Sequence, residues 1–180
     1  MTEHTKSQIQ HCTEQVSLYD HDRYLCIMLA PEEKRDDLFA LYAFNCEVAR
    51  IRDQVNESLL GQMRLQWWRD IIDGCDTEKP RPSGTAGVLY DVICKYSLSK
   101  QYFYDLLKAR ADDLDDLPPA TLNALIAYCT STSATLVQLS MDILEGGGKG
   151  YSLTPAASDC GIAWGLSGII RSIHFQTSQT

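Results

Sequence analysis

From Pro31 to His174 the apolar residues of this chain return every three or four positions, and no segment alternates apolar and polar residues. A return every 3.6 residues lays one apolar stripe along a helix, whereas a half-buried strand needs a period of two. No Asn-Gly or Asp-Gly turn joins two alternating runs, so hairpins are not expected either. The spacing predicts an all-α chain, folded as one antiparallel helical bundle.

The breaks between helices are written in Pro, Gly, Ser and Asp. Pro31 suits the first position of a helix, and Glu32 and Glu33 favour its positive end. Leu38, Leu41, Tyr42 and Ala49 carry that stripe to about Val55. Asn56 is placed to cap a second helix with Leu60, Met63, Trp67 and Ile71 on one stripe and Gly74 at its end. Residues 75–85 read as a loop. A helix bearing Val88, Leu89, Val92, Ile93 and Tyr96 follows, and Ser99 can cap the next, with Tyr102, Phe103, Leu106 and Leu107. Pro118-Pro119 breaks the chain again. Thr121 then caps a long helix that ends at Gly146-Gly147-Gly148. The last helix runs from about Pro155 to His174, with Ile162, Leu166, Ile169 and Ile173 on its apolar side. Loops are expected near 75–85, 115–120 and 146–154. Residues 1–20 are polar and read as a flexible N-terminus with at most one short helix; residues 21–180 read as a single domain.

Composition excludes several classes. A net charge of −8 argues against general nucleic-acid binding, which needs a basic surface. The seven cysteines form no Cys-x-x-Cys pair and are odd in number, so they read as reduced core thiols. The N-terminus carries Glu3 and His4 and no apolar run of signal-peptide type, and no charge-free stretch is long enough to span a bilayer. A cytoplasmic location follows as the expectation, with peripheral contact at an inner membrane left open.

Isolated motifs give little. Gly146-Gly147-Gly148-Lys149 lacks the preceding strand and spacing of a phosphate loop, and is better read as a helix end. The histidines are scattered, and no Gly-x-Ser-x-Gly elbow occurs. Asp112, Asp113, Asp115 and Asp116 could hold Mg²⁺, since carboxylates four apart share a helix face. Beside Pro118-Pro119, a solvated acidic turn is the better reading.

Residues 22–70 are more specific. Asp22-Arg23-Tyr24-Leu25, then Leu38-Phe-Ala-Leu-Tyr-Ala-Phe-Asn45, Ala49-Arg-Ile-Arg-Asp53 and Arg64-Leu-Gln-Trp-Trp-Arg-Asp70 follow in order. Tyr128-Cys129 and Gly161-Ile-Ala-Trp-Gly-Leu-Ser-Gly-Ile-Ile-Arg171 follow downstream. Together they resemble the squalene/phytoene synthase family, especially its divergent branch near the mitochondrial complex I assembly factor of that fold. The resemblance covers almost the whole chain. It implies an all-α isoprenoid (terpenoid) synthase bundle, here lacking the family's C-terminal helices. Working members condense prenyl diphosphates, using two Asp-rich motifs whose Mg²⁺ ions stabilise the departing diphosphate.

Against that pattern, the first motif falls on Ala49, Arg50 and Asp53, and the second on Ser172 and Gln176. Only Asp53 keeps its carboxylate. Arg50 and Arg52 have entered; they could grip a phosphate, but pairing with Asp53 or Glu47, or solvation, is the better reading. Tyr42, Trp68, Tyr128 and Arg171 are the positions that could line the old cleft; Trp67 reads as core. The resemblance therefore implies a protein without catalytic or metal-binding residues and without a cofactor. It would help assemble respiratory complex I, or bind a protein or a prenyl lipid. The alternative is an Mg²⁺-dependent prenyltransferase using Asp53 with Asp112, Asp113 and Asp116. Bundles short of their closing helices leave the faces of 122–144 and 155–174 uncovered, so a protein partner or self-association is expected.

Overall fold

The computed structural model describes residues 3–75, 81–115, 118–148 and 150–176, with side chains from residue 6 to residue 172. Among the described residues it is helical, without strands. Ten α-helices follow in order: α1 Glu3–Tyr19, α2 His21–Met28, α3 Glu32–Ala49, α4 Ile51–Gln54, α5 Ser58–Gly74, α6 Gly84–Tyr96, α7 Lys100–Asp112, α8 Leu122–Cys129, α9 Thr135–Glu145 and α10 Pro155–Gln176. Asp113–Asp115 forms a 3-10 turn, and a π-helical turn, Thr130–Ala134, joins α8 to α9.

The central element is α3. Every residue from Leu38 to Cys46 is buried, because α1, α6, α2 and α9 pack around it. A helix enclosed in this way is apolar over most of its circumference, which is why its sequence reads as a continuous Leu-Phe-Ala-Leu-Tyr-Ala-Phe run. Phe44 forms the centre of an edge-to-face cluster with Trp68 and Phe103, at 4.9 and 5.6 Å between ring centroids.

Helix ends follow the expected chemistry. The Thr121 hydroxyl accepts from the Ala124 amide at 3.1 Å. Gly146 closes α9 at φ 92°, a left-handed conformation suited to glycine. Pro31 stands one place before the first helical residue. Glu57, not Asn56, holds the N-cap position of α5. The loop expected at 75–85 is shorter at its far end, since α6 starts at Gly84; residues 76–80, 116–117 and Lys149 lie outside the described residues.

Further expectations need correction. Within the segment read as a flexible N-terminus with at most one short helix, Glu3–Tyr19 forms a 17-residue helix, and Gln8, Cys12 and Val16, spaced by four, are buried. That stripe contains only one strong hydrophobe, so its sequence looks polar. On α5 the buried stripe is Gly61, Leu65, Trp68 and Ile72. Of the expected one, Leu60, Met63 and Trp67 face solvent at 49, 62 and 49% exposure, whereas Ile71 packs partly buried against the core. The thiols divide: Cys12, Cys46 and Cys129 are buried, whereas Cys26, Cys94 and Cys160 are exposed.

The long helix foreseen from Thr121 to Gly146 is interrupted. In Thr130–Ala134 and its flanks, hydroxyls bond back along the helix: Thr130 to the Ile126 carbonyl, Thr132 to Tyr128 and Thr135 to Ser131, at 2.7–2.8 Å. Such back-bonding bends helices. The widened turn receives α10: a Cβ at Gly161 would lie 2.2 Å from the Ala134 Cα, and one at Gly165 would lie 2.9 Å from the Cys129 sulfur. Only glycine lets the two backbones approach this closely.

Candidate functional site

The positions singled out in the sequence lie in three places. The first is a cleft between α2, α3, α9 and α10. Tyr42 lies at its wall, buried, and its hydroxyl accepts from the Ser140 hydroxyl at 2.8 Å. Burial raises its pKa above the usual phenol value, and the Arg23 guanidinium opposes that. Arg23 enters from α2 and lies between the rings of Tyr42 and Trp164, 5.2 and 4.9 Å from their centroids. Asp20 anchors it through a 2.6 Å ion pair, and its side chain is 12% exposed. One residue earlier, Asp22 meets Arg171 of α10 at 2.7 Å across an exposed contact. The Arg171 guanidinium holds the Asp22 carboxyl below its ordinary pKa. A mostly apolar cavity of about 380 Å³ adjoins Tyr42, walled by Ile27, Leu38 and Leu144.

The second place is the junction of α7 and α8. Tyr128 does not reach the Tyr42 cavity. Its hydroxyl accepts from Arg110 at 2.6 Å and donates to Asp113 at 2.9 Å. Arg110 also pairs with Asp113 at 3.2 Å. The Tyr128 pKa is pushed up to about 12, first by burial. Asp113 is thus tied into a structural network; Asp112 and Asp115 are exposed, and Asp116 lies outside the described residues.

The third place is the opposite side of α3. Trp68 is 3% exposed and meets Phe44 and Trp67 edge-on. Its cavity is the one facing α1 and α5, not the Tyr42 cleft. Trp67, read as core, is half exposed. Arg50 pairs with neither Asp53 nor Glu47: its guanidinium stacks on the Tyr19 ring at 3.4 Å.

These residues do not suit a magnesium cluster. Ala49 has no ligand atom, and Asp53 is exposed. The Ser172 hydroxyl donates to the carbonyl of Ile169 in its own helix at 2.8 Å. The Gln176 side chain lies outside the described residues. Mg²⁺ at a diphosphate site is commonly held by one or two carboxylates with substrate oxygens; Asp53 is the one carboxylate at these positions, and among the described residues no three His, Cys, Asp or Glu side chains converge. The cleft instead already carries a cation, Arg23. Sequence reasoning quoted Arg23 and Trp164 within the family-like motifs but gave neither a place in the cleft, because the contact between them joins residues distant in the chain.

The squalene/phytoene synthase profile matches residues 16–179. The chain belongs to the squalene/phytoene synthase family. Among curated relatives, it is 32% identical over 170 residues to the NADH dehydrogenase (ubiquinone) complex I, assembly factor 6 of Bos taurus, covering 94% of this chain and 50% of that one. Its identity to the Homo sapiens counterpart is 31% over 169 residues, with the same coverage. Phytoene synthase 1 of Zea mays chloroplasts is 25% identical over 172 residues, covering 93% of this chain and 42% of that one. The chain thus spans half or less of the length of these relatives. A crystal structure of a ligand-bound dehydrosqualene synthase superposes with a TM-score of 0.75 at 19% identity, covering 97% of this chain and 60% of that one. The fold is therefore that of the terpenoid synthases. No helix among the described residues is long and apolar enough to cross a membrane.

Proposed function

We propose that this family member is non-catalytic and serves as an assembly helper for a respiratory NADH dehydrogenase of the complex I type, acting by binding protein. The observation that carries this reading is the charge of the cleft. Prenyl diphosphate ionisation builds negative charge on the leaving group and needs cations pinned by facing carboxylates. Of those positions only Asp53 keeps a carboxylate, with Ala49, Arg50, Ser172 and Gln176 at the others; Arg50 turns away to the Tyr19 ring, and the cation in the cleft is Arg23, between Tyr42 and Trp164. The likeness to complex I assembly factors in cattle and humans supports the same reading.

Two measurements test it. Purified protein incubated with farnesyl or geranylgeranyl diphosphate and Mg²⁺ is expected to release no diphosphate. Mg²⁺-dependent release that Asp53→Asn abolishes would establish the prenyltransferase alternative instead. In the source organism, deletion of the gene is expected to lower the amount of assembled complex on native gels while other respiratory complexes keep theirs. The Asp53→Asn protein is expected to restore it.

A further inference from the structure

Two adjoining cavities open on the side of α3 and α4 that faces away from the cleft. Glu47, Arg50, Ile51 and Gln54 line this side, whereas Tyr42 lines the cleft. The first cavity, about 410 Å³, is polar: Arg50, Arg64, His11, Gln15 and Glu47 line it, against the indoles of Trp67 and Trp68. The second, about 470 Å³, is lined by Val55, Leu60 and Met63 and also by Asn56 and Glu57. Gln54, Arg64 and Trp67 line both, so the two form one groove with a polar and an apolar end.

The polar end carries unbalanced charge. Arg64 donates to the Gln54 side-chain oxygen at 2.9 Å, and Arg50 lies on the Tyr19 ring. Neither guanidinium is in an ion pair among the described residues. In the first cavity two guanidiniums face one carboxylate, Glu47, so this end is positive on a chain whose net charge is −8; the groove's other carboxylate, Glu57, lines the second cavity. Guanidinium forks match carboxylate and phosphate oxygens. Leu60, Met63 and Trp67, about half exposed or more, continue from that end along α5; methionine and tryptophan supply adaptable and flat apolar contact.

We infer that this groove binds a single-chain amphiphile, its carboxylate or phosphate head between Arg50 and Arg64 and its apolar chain along Trp67, Met63, Leu60 and Val55. The site is separate from the family's cleft and does not depend on the assembly reading. The positive first cavity and the apolar side chains of α5 select a head and a tail together, and Glu57 in the second cavity disfavours an anionic head there; neither a free inorganic anion nor a neutral lipid provides both.

The test uses the whole chain and dodecyl phosphate below its micelle concentration, followed by calorimetry and tryptophan emission. One-to-one binding is expected. Arg50→Gln with Arg64→Gln should weaken it at least about tenfold, the loss of a charge-assisted contact. Leu60→Asp with Met63→Asp should do so comparably. Neutral dodecyl glucoside and inorganic phosphate should each bind at least about tenfold more weakly than dodecyl phosphate. All four positions reach solvent, and far-UV circular dichroism melts confirm that the variants are folded; Arg64→Gln alone serves if Arg50→Gln is not. Binding unchanged in both double variants would overturn the inference, as would equal affinity for dodecyl glucoside. Binding lost in Arg171→Gln but kept in the double variants would place the ligand in the cleft and also overturn it. So would sedimentation with phosphatidate vesicles by a protein that ignores monomeric dodecyl phosphate.

Discussion

Burial sets the behaviour of the individual thiols. Cys12 and Cys46 have pKa values pushed from 9.0 up to about 12, chiefly by desolvation. In the unfolded chain they ionise near their ordinary value, so between pH 9 and 12 the unfolded state holds fewer protons and stability falls as pH rises. Their contribution is complete below pH 9 and is lost through the folded-state values. Tyr128, raised from 10.0 to about 12, acts in the same direction. The thermal midpoint should therefore decline from pH 9 upward, and Cys12→Ala with Cys46→Ala should flatten that decline. None of this separation was legible in the sequence: buried Cys12 lies between the polar His11 and Thr13, whereas exposed Cys94 follows the apolar Val92-Ile93. The same holds for Trp67 and Trp68. Adjacent indoles on a helix point about 100° apart, and only the packing of Phe44 and Phe103 decides which one goes inside.

Among the elements, the most demanding contact is α10 on the π turn. Gly161→Ala should cost about 1–3 kcal/mol or more in urea unfolding, because the new methyl meets the Ala134 backbone. Gly168 has nothing within 4 Å of a built Cβ. Gly168→Ala should therefore stabilise by roughly 0.5–1 kcal/mol through helix propensity. Thr121→Ala should cost about 1 kcal/mol by uncapping α8. An unchanged midpoint for Gly161→Ala would mean that the two helices can move apart. Element existence was readable from the 3.6 period and the Pro and Gly breaks, and so was the Thr121 cap. The π turn was not: its Thr-Ser-Thr-Ser run reads as ordinary helix, and only the back-bonded hydroxyls and the docking of α10 reveal it. Helix α1 was missed because its buried stripe is built on Gln8 and Cys12. The altered motif positions could be located from sequence, whereas Arg23 between Tyr42 and Trp164 joins residues distant in the chain and became visible only in the fold.

Taken whole, the molecule leaves several large apolar side chains in water. Leu59, Leu60, Met63 and Trp67 on α5, Leu25 and Leu29 around α2, and Ile170 on α10 are exposed. Patches of this kind mark interaction surfaces. The apparent mass in light scattering is expected to rise with protein concentration; a constant monomer mass would count against it. The contact between Tyr42 and Ser140 has a different consequence, one of timing. Its partners are 98 residues apart in the chain. At a synthesis rate of about 5–20 residues per second, the Tyr42 face of α3 waits roughly 5–20 s after leaving the ribosome before α9 arrives to cover it. During that interval α1 can already hold α3 from the other side, so the nascent chain presents Leu38 and Tyr42 as an open apolar ledge, a natural hold for a chaperone until the second half of the bundle closes over it.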